Sequence, residues 1–126
     1  MNGYLISTGD RPGLAARLFE AAAARGVNVF PAYGLADGMT GMMVVGSDDE
    51  AGLQAAIADA GLSATAIEMV VTELDNQPGT GAALFRKLAD AGVDLRIAVP
   101  IGMSGDRVQL GLGASDPALL KQALGS

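Results

Sequence analysis

An α+β fold is predicted, built from two tandem copies of a strand, helix, strand, strand, helix unit. The sheet is expected to be antiparallel-rich but mixed, with four helices on one face. Three observations carry this. Asp10-Arg11-Pro12-Gly13, Leu18-Phe19 and Gly26-Val27-Asn28-Val29 return 66 positions later as Asn76-Gln77-Pro78-Gly79, Leu84-Phe85 and Gly92-Val93-Asp94-Leu95. Between 12 and 29 the copies agree at eight of eighteen positions, enough to read an internal duplication. Helical and strand periodicities alternate in the same order in both halves. Half the residues are apolar and 17% are charged, as in a globular chain.

The elements follow in order. Tyr4 to Thr8 is a short strand, and the Gly9–Pro12 stretch turns into a helix from Gly13 to Arg25. Leu14, Leu18 and Ala22 set the apolar stripe of that helix, and Gly26 sits where a left-handed C-terminal cap is wanted. Val27 to Leu35 is the second strand. Asp37-Gly38 signals a hairpin, and Thr40 to Gly46 returns. Ser47-Asp48-Asp49-Glu50 has the form of a capping box, with Ser47 as cap and Glu50 reaching back, opening a helix that ends at Gly61.

Thr65 to Leu74 is the next strand. The second unit then repeats the pattern: a helix from Gly79 to Ala91, a strand from Val93 to Val99, a turn at Ser104-Gly105-Asp106 and a strand from Arg107 to Leu112. Asp116-Pro117 opens the last helix, with proline in the first turn. A unit of about 60 residues is marginal alone, so the repeats, 1–63 and 64–126, are expected to share a sheet.

Composition excludes several functions. The formal charge is −6, and no basic cluster exceeds Arg86-Lys87, which argues against a nucleic-acid partner. There is no Cys and no His, so Cys/His metal centres, thiol chemistry and histidine triads are excluded. No paired carboxylates are placed for acid/base work, and the chain is read as no enzyme, with no metal and no cofactor. No uncharged run approaches the ~20 residues of a membrane span, and the N-terminus lacks a signal-peptide pattern. A soluble, cytoplasmic protein is expected.

Asp-x-Pro-Gly, a helix bearing Leu-Phe, then Gly-Val-Asn-Val resembles the ACT domain, a small ferredoxin-like module that regulates many amino-acid biosynthetic enzymes. From Tyr4 to Leu124 the chain resembles small stand-alone proteins made of two such modules. An ordinary ACT module ends in a fourth strand that is missing here after each second helix. Thr65–Leu74 is therefore expected to serve both repeats, lying antiparallel to Tyr4–Thr8.

The resemblance implies a regulatory or sensing role, in which a free amino acid or related small metabolite binds at the helix-start loops. Gly13 and Gly79 would let its carboxylate reach backbone N–H groups at the positive end of a helix. The candidate ligand-binding residues are Asp10, Arg11, Pro12, Gly13, Leu14 and Asn28 in the first repeat. Asn76, Gln77, Pro78, Gly79, Thr80 and Asp94 are those of the second. Asp10 and Asn76 can equally cap their own helices, Arg11 can be a solvated turn residue and Thr80 an ordinary cap. Whether there is one site or two stays open.

Gly79-Thr80-Gly81-Ala82-Ala83 imitates a dinucleotide fingerprint. It lacks the tight strand-to-helix turn and the downstream acid, and is set aside. Asp48, Asp49 and Glu50 are read as a helix start rather than a cation site. The strands 27–35 and 40–46 are apolar on both faces, with Met42 and Met43 pointing opposite ways. This predicts a homodimer through the face away from the helices. The alternative function is a non-catalytic dimerisation or regulatory subunit of an amino-acid-metabolism enzyme, with no ligand of its own.

Overall fold

A computed structural model describes residues 1–9 and 12–125. Its contacts divide the chain into two compact units, Met1–Ala66 and Ile67–Ser126. Among the described residues six strands and four helices follow the predicted order.

The first unit is β1 (Asn2–Gly9), α1 (Leu14–Ala24), β2 (Ala32–Ala36), β3 (Thr40–Val45) and α2 (Glu50–Asp59). β3 lies between β1 and β2, antiparallel to both, pairing Ile6 with Met43 and Leu35 with Met42. One face of this sheet carries Tyr4, Ile6 and Val45, and both helices bury Leu18, Ala22, Leu53, Ala56 and Ile57 against it. That face is the core. Successive strand residues alternate sides, so Met43 packs on the core while Met42 lies on the far face, 42% exposed.

The second unit is β4 (Thr65–Asp75, whose first two residues fall in the first unit), α3 (Thr80–Asp90), β5 (Leu95–Ser104), β6 (Arg107–Ala114) and α4 (Pro117–Ala123). β6 is central and antiparallel to β4 and β5. Leu84 and Leu88 of α3 and Leu120 of α4 pack on Leu112 and Ala114, so both helices again cover one face. On the opposite face β6 presents Gly111 and Gly113. Ile67, Met69, Ile97 and Ile101 crowd the space where their side chains would stand.

Three local readings are corrected. The strand expected from Val27 starts only at Ala32. Pro31 has no N–H to give a ladder, and the stretch before it touches β3's end through Phe30 N–H to Gly46 O and Gly46 N–H to Pro31 O, both 2.9 Å. The strand expected over 93–99 runs instead from Leu95 to Ser104, with irregular pairing near Leu95 and Pro100.

The Ser47–Glu50 capping box does not form. Asp49 caps α2, accepting from Gly52 N–H at 2.9 Å, and Ser47 Oγ accepts from Asp49 N–H at 3.1 Å. Glu50 is drawn away because its carboxylate accepts from the Tyr4 hydroxyl at 2.8 Å and from Asn2 N–H at 3.3 Å. Gln54 Nε2 donates to the same hydroxyl at 2.7 Å, so the buried Tyr4 oxygen is fully used. The terminal cap is as predicted: Asp116 accepts from Leu119 N–H, with Pro117 in the first turn.

These carboxylates give the fold an acid limit. The Tyr4 hydroxyl, then the Asn2 N–H, hold Glu50 below the ordinary value of 4.5. Gln109, then Arg107, do the same for Glu73. Arg25 lowers Asp59, and the backbone N–H groups of Thr40 and Met39 lower Asp37, from the ordinary 3.8. A depressed folded-state pKa contributes stability that is complete above the unfolded value and lost as pH falls through the folded one. Urea midpoints should therefore be flat near neutrality and fall below the ordinary carboxylate range. Tyr4→Phe should shrink the part of that fall due to Glu50. An unchanged acid profile in that variant would contradict the assignment.

No helix among the described residues is long and apolar enough to cross a membrane.

Candidate functional site: the glycine-opened helix starts

Two helices begin with a side-chain cap and two do not. Asp49 and Asp116 cap α2 and α4. Gly13 and Gly79 open α1 and α3, at φ 90° and 93°, a left-handed conformation that disfavours any residue with a Cβ. A Cβ built on either would meet nothing within 4 Å among the described residues. Glycine is thus required by the turn's backbone rather than by crowding from the described residues. Backbone N–H groups of a first helical turn have no intrahelical acceptor, and the helix dipole favours a negative charge there.

In the first unit a cleft of about 350 Å³ adjoins this helix start. Leu14 and Ala15 of α1, Thr8 and Gly9 of β1, Gly34, Leu35 and Ala36 of β2, and Gly41, Met42 and Met43 of β3 line it. Its volume falls within the range of small-molecule sites. Among the described residues the lining is apolar apart from the Thr8 hydroxyl and backbone groups.

The sequence-predicted residues divide as follows. Asp10 and Arg11 lie outside the described residues. Leu14 lines the cleft, Gly13 precedes it at the helix start, and Pro12 is exposed in the turn before them. Asn28 is exposed beyond the C-terminal end of α1. An 11-residue helix is roughly 16 Å long, so the fold does not bring Asn28 beside Gly13 of its own unit.

In the second unit Asn76, Gln77, Pro78 and Gly79 form an exposed turn before α3. Asn76 N–H donates to Asp106 O at 2.6 Å. Asn76 does not cap the helix; Gly79 occupies that position. The Thr80 hydroxyl donates back into the turn, to Asp75 O at 2.7 Å and Gln77 O at 3.0 Å, and so braces it. Asp94 lies beyond the other end of α3, where its carboxylate accepts from Ser115 Oγ at 2.8 Å. It ties β5's entry to the end of β6 and is not gathered with Gly79 of its unit.

Sequence reasoning missed the lining from β2 and β3: Gly34, Leu35, Ala36, Met42 and Met43. Their two-sided apolar pattern was visible, yet it was assigned only to a subunit contact. Among the described residues no group of three or more His, Cys, Asp or Glu is gathered where a metal could sit.

No family model and no curated protein sequence matches the chain. Solved structures do match. A protein from Bacteroides thetaiotaomicron aligns over 98% of this chain and 85% of its own, with TM-score 0.80 and 15% identity. The regulatory subunit of aspartate kinase from Thermus thermophilus, in its ligand-free form, aligns over 98% and 89%, with TM-score 0.61 and 21% identity. The corresponding subunit from Thermus flavus aligns over 98% and 91%, with TM-score 0.63 and 20% identity. At such identities the likeness is one of fold. The chain has the fold of tandem ACT-type regulatory domains, two ferredoxin-like units in one polypeptide.

Proposed function

We propose that the protein is a non-catalytic regulatory module that binds a free amino acid or closely related metabolite. The observation that carries this is the cleft of about 350 Å³ beside the glycine-opened start of α1, apolar among the described residues. A carboxylate placed at the Gly13–Ala15 turn meets backbone N–H groups. The attached side chain then lies toward Gly34, Ala36 and Met43 on the helix face of the sheet, which favours an apolar ligand side chain. The fold is that of aspartate kinase regulatory subunits, which supports a regulatory output and an enzyme partner in amino-acid metabolism.

A second reading, a regulatory or dimerisation subunit without a ligand, is favoured by the apolar surface at β2 and the hairpin tip. Leu35 is 76% and Met39 83% exposed there.

A thermal-shift screen of the standard amino acids, followed by calorimetry, separates the two. A ligand at 100 times its dissociation constant stabilises the fold by ~2.7 kcal/mol, a visible shift in melting. At least one amino acid with an apolar side chain should give it. Ala36→Leu, which fills the cleft from an exposed position, should weaken binding roughly tenfold or more while leaving the melting temperature of the free protein in place. Absence of any shift at millimolar ligand would favour the subunit reading. Unchanged affinity in Ala36→Leu would place the site elsewhere.

A further inference from the structure

The first unit holds a second cavity, of about 400 Å³, which shares no lining residue with the cleft beside α1. Its walls come from Tyr4 of β1, from Gln54, Ile57 and Ala58 of α2, and from the 62–66 stretch, all within Met1–Ala66. Tyr4 stands four residues from Thr8 of the cleft, roughly 13 Å along β1. Among the described residues the walls are apolar apart from backbone groups, the Tyr4 hydroxyl, the Gln54 amide and the Ser63 hydroxyl.

The amide is held in one orientation. Glu50 is ionised at neutral pH and only accepts, and the single Tyr4 hydroxyl proton goes to its Oε1 at 2.8 Å. Toward Gln54, 2.7 Å away, the hydroxyl can therefore only accept, so Gln54 turns its NH2 to Tyr4. The carbonyl oxygen and second N–H of Gln54 make no hydrogen bond among the described residues. The duplication shows that the fold itself does not need this arrangement. Asp49 and Asp116 cap α2 and α4, which sets Gln54 against Lys121 and Glu50 against Pro117. Tyr4 pairs with Val45 and Val70 with Leu112, each partner four residues before its cap, which sets Tyr4 against Val70. The second unit thus packs the same elements with none of the three polar groups, and its Lys121 pairs with Glu68 instead.

We propose that this cavity is a second ligand site, for a small neutral planar molecule that presents a hydrogen-bond donor and an acceptor to Gln54 and lays its apolar face against Ile57 and Leu62. That edge is common to primary carboxamides and to amino-substituted nucleobases. The volume is that of a small-molecule site. Charge sets it apart from the cleft. Ile57, Ala58 and Leu62 lie at the C-terminal end of α2, where the helix dipole is negative, and the Glu50 carboxylate stands behind Tyr4. No lining residue is a cation. A carboxylate is disfavoured here, so a free amino acid is not the ligand.

The test is calorimetric titration of the full chain with benzamide, adenine and benzoate. Benzamide or adenine should bind with a dissociation constant of about 1 mM or tighter. Binding of one and not the other assigns the edge to carboxamides or to nucleobases. Benzoate keeps the ring but replaces the amide with an anion, and should bind at least roughly tenfold more weakly than the better probe. Gln54→Leu keeps the bulk of the side chain and removes its polar edge. Ala58→Leu fills the cavity from an exposed helix position. Each should weaken binding of the better probe roughly tenfold or more, with the far-UV circular dichroism of the unmodified protein retained. Ala36→Leu, in the cleft beside α1, should leave that affinity unchanged. The proposal is overturned if neither benzamide nor adenine binds at about 5 mM, or if benzoate binds as well as the better probe. Binding that is lost in Ala36→Leu but intact in folded Gln54→Leu and Ala58→Leu would also overturn it, by placing the probe in the other cleft.

Discussion

Replacing Gly113 with valine is expected to destabilise the protein by about 3 kcal/mol, at the upper end for overpacking a closed space. Gly113 lies in the central strand of its unit, on the face away from α3 and α4. A Cβ there would stand 2.8 Å from Ile67 Cγ2, 3.3 Å from Ile97 Cβ and 3.5 Å from the carbonyl oxygen of Glu68. Two of these atoms belong to buried β-branched side chains and one is backbone, so none retreats cheaply. Gly111 is hemmed in by Met69 and Ile101 in the same way, although Met69 is flexible enough to yield. Urea unfolding of Gly113→Val, Gly111→Ala and Gly9→Ala should rank them in that order of loss. Gly9 is the control: a Cβ there meets nothing within 4 Å among the described residues. A Gly113→Val midpoint equal to that of Gly9→Ala would show that the trough over β6 is looser than described.

The second large effect separates two adjacent methionines. Met43 packs against the core cluster beside Ile6, its cross-strand partner, and reaches over Gly34. A lysine there must leave its ammonium in apolar surroundings or bend out at the expense of packing. Met43→Lys should cost about 2 kcal/mol. Met42 pairs with Ser7 and Leu35 on the opposite face. Met42→Lys should stay within about 0.5 kcal/mol of the unmodified protein. Comparable losses for both would mean that the far face of β3 is buried in solution, as the sequence-based homodimer expectation holds.

The duplicated turn, the order of ten elements and the positions of both glycine-opened helices were legible in the sequence, because each rests on local chemistry. A glycine is demanded wherever φ is near 90°, as at Gly13 and Gly79, and the residues before and after it show the turn and the helix. The apolar stripe of α1 at Leu14, Leu18 and Ala22 needs no partner to be recognised. Asp116-Pro117 likewise named its own helix start.

What tertiary structure alone decided involves residues far apart in the chain. Local pattern made Ser47 and Glu50 a capping pair. The Tyr4 hydroxyl, 46 positions away from Glu50, claimed the carboxylate and left the cap to Asp49. Periodicity could not say which of Met42 and Met43 faces the helices, since both neighbours are apolar and a one-residue shift of register exchanges them. The cleft was hidden for the same reason: Thr8, Leu14, Leu35 and Met43 become its walls only when β1, α1, β2 and β3 are packed together. Local sequence encodes backbone conformation and amphipathic faces; which side chains meet depends on register and packing between distant segments.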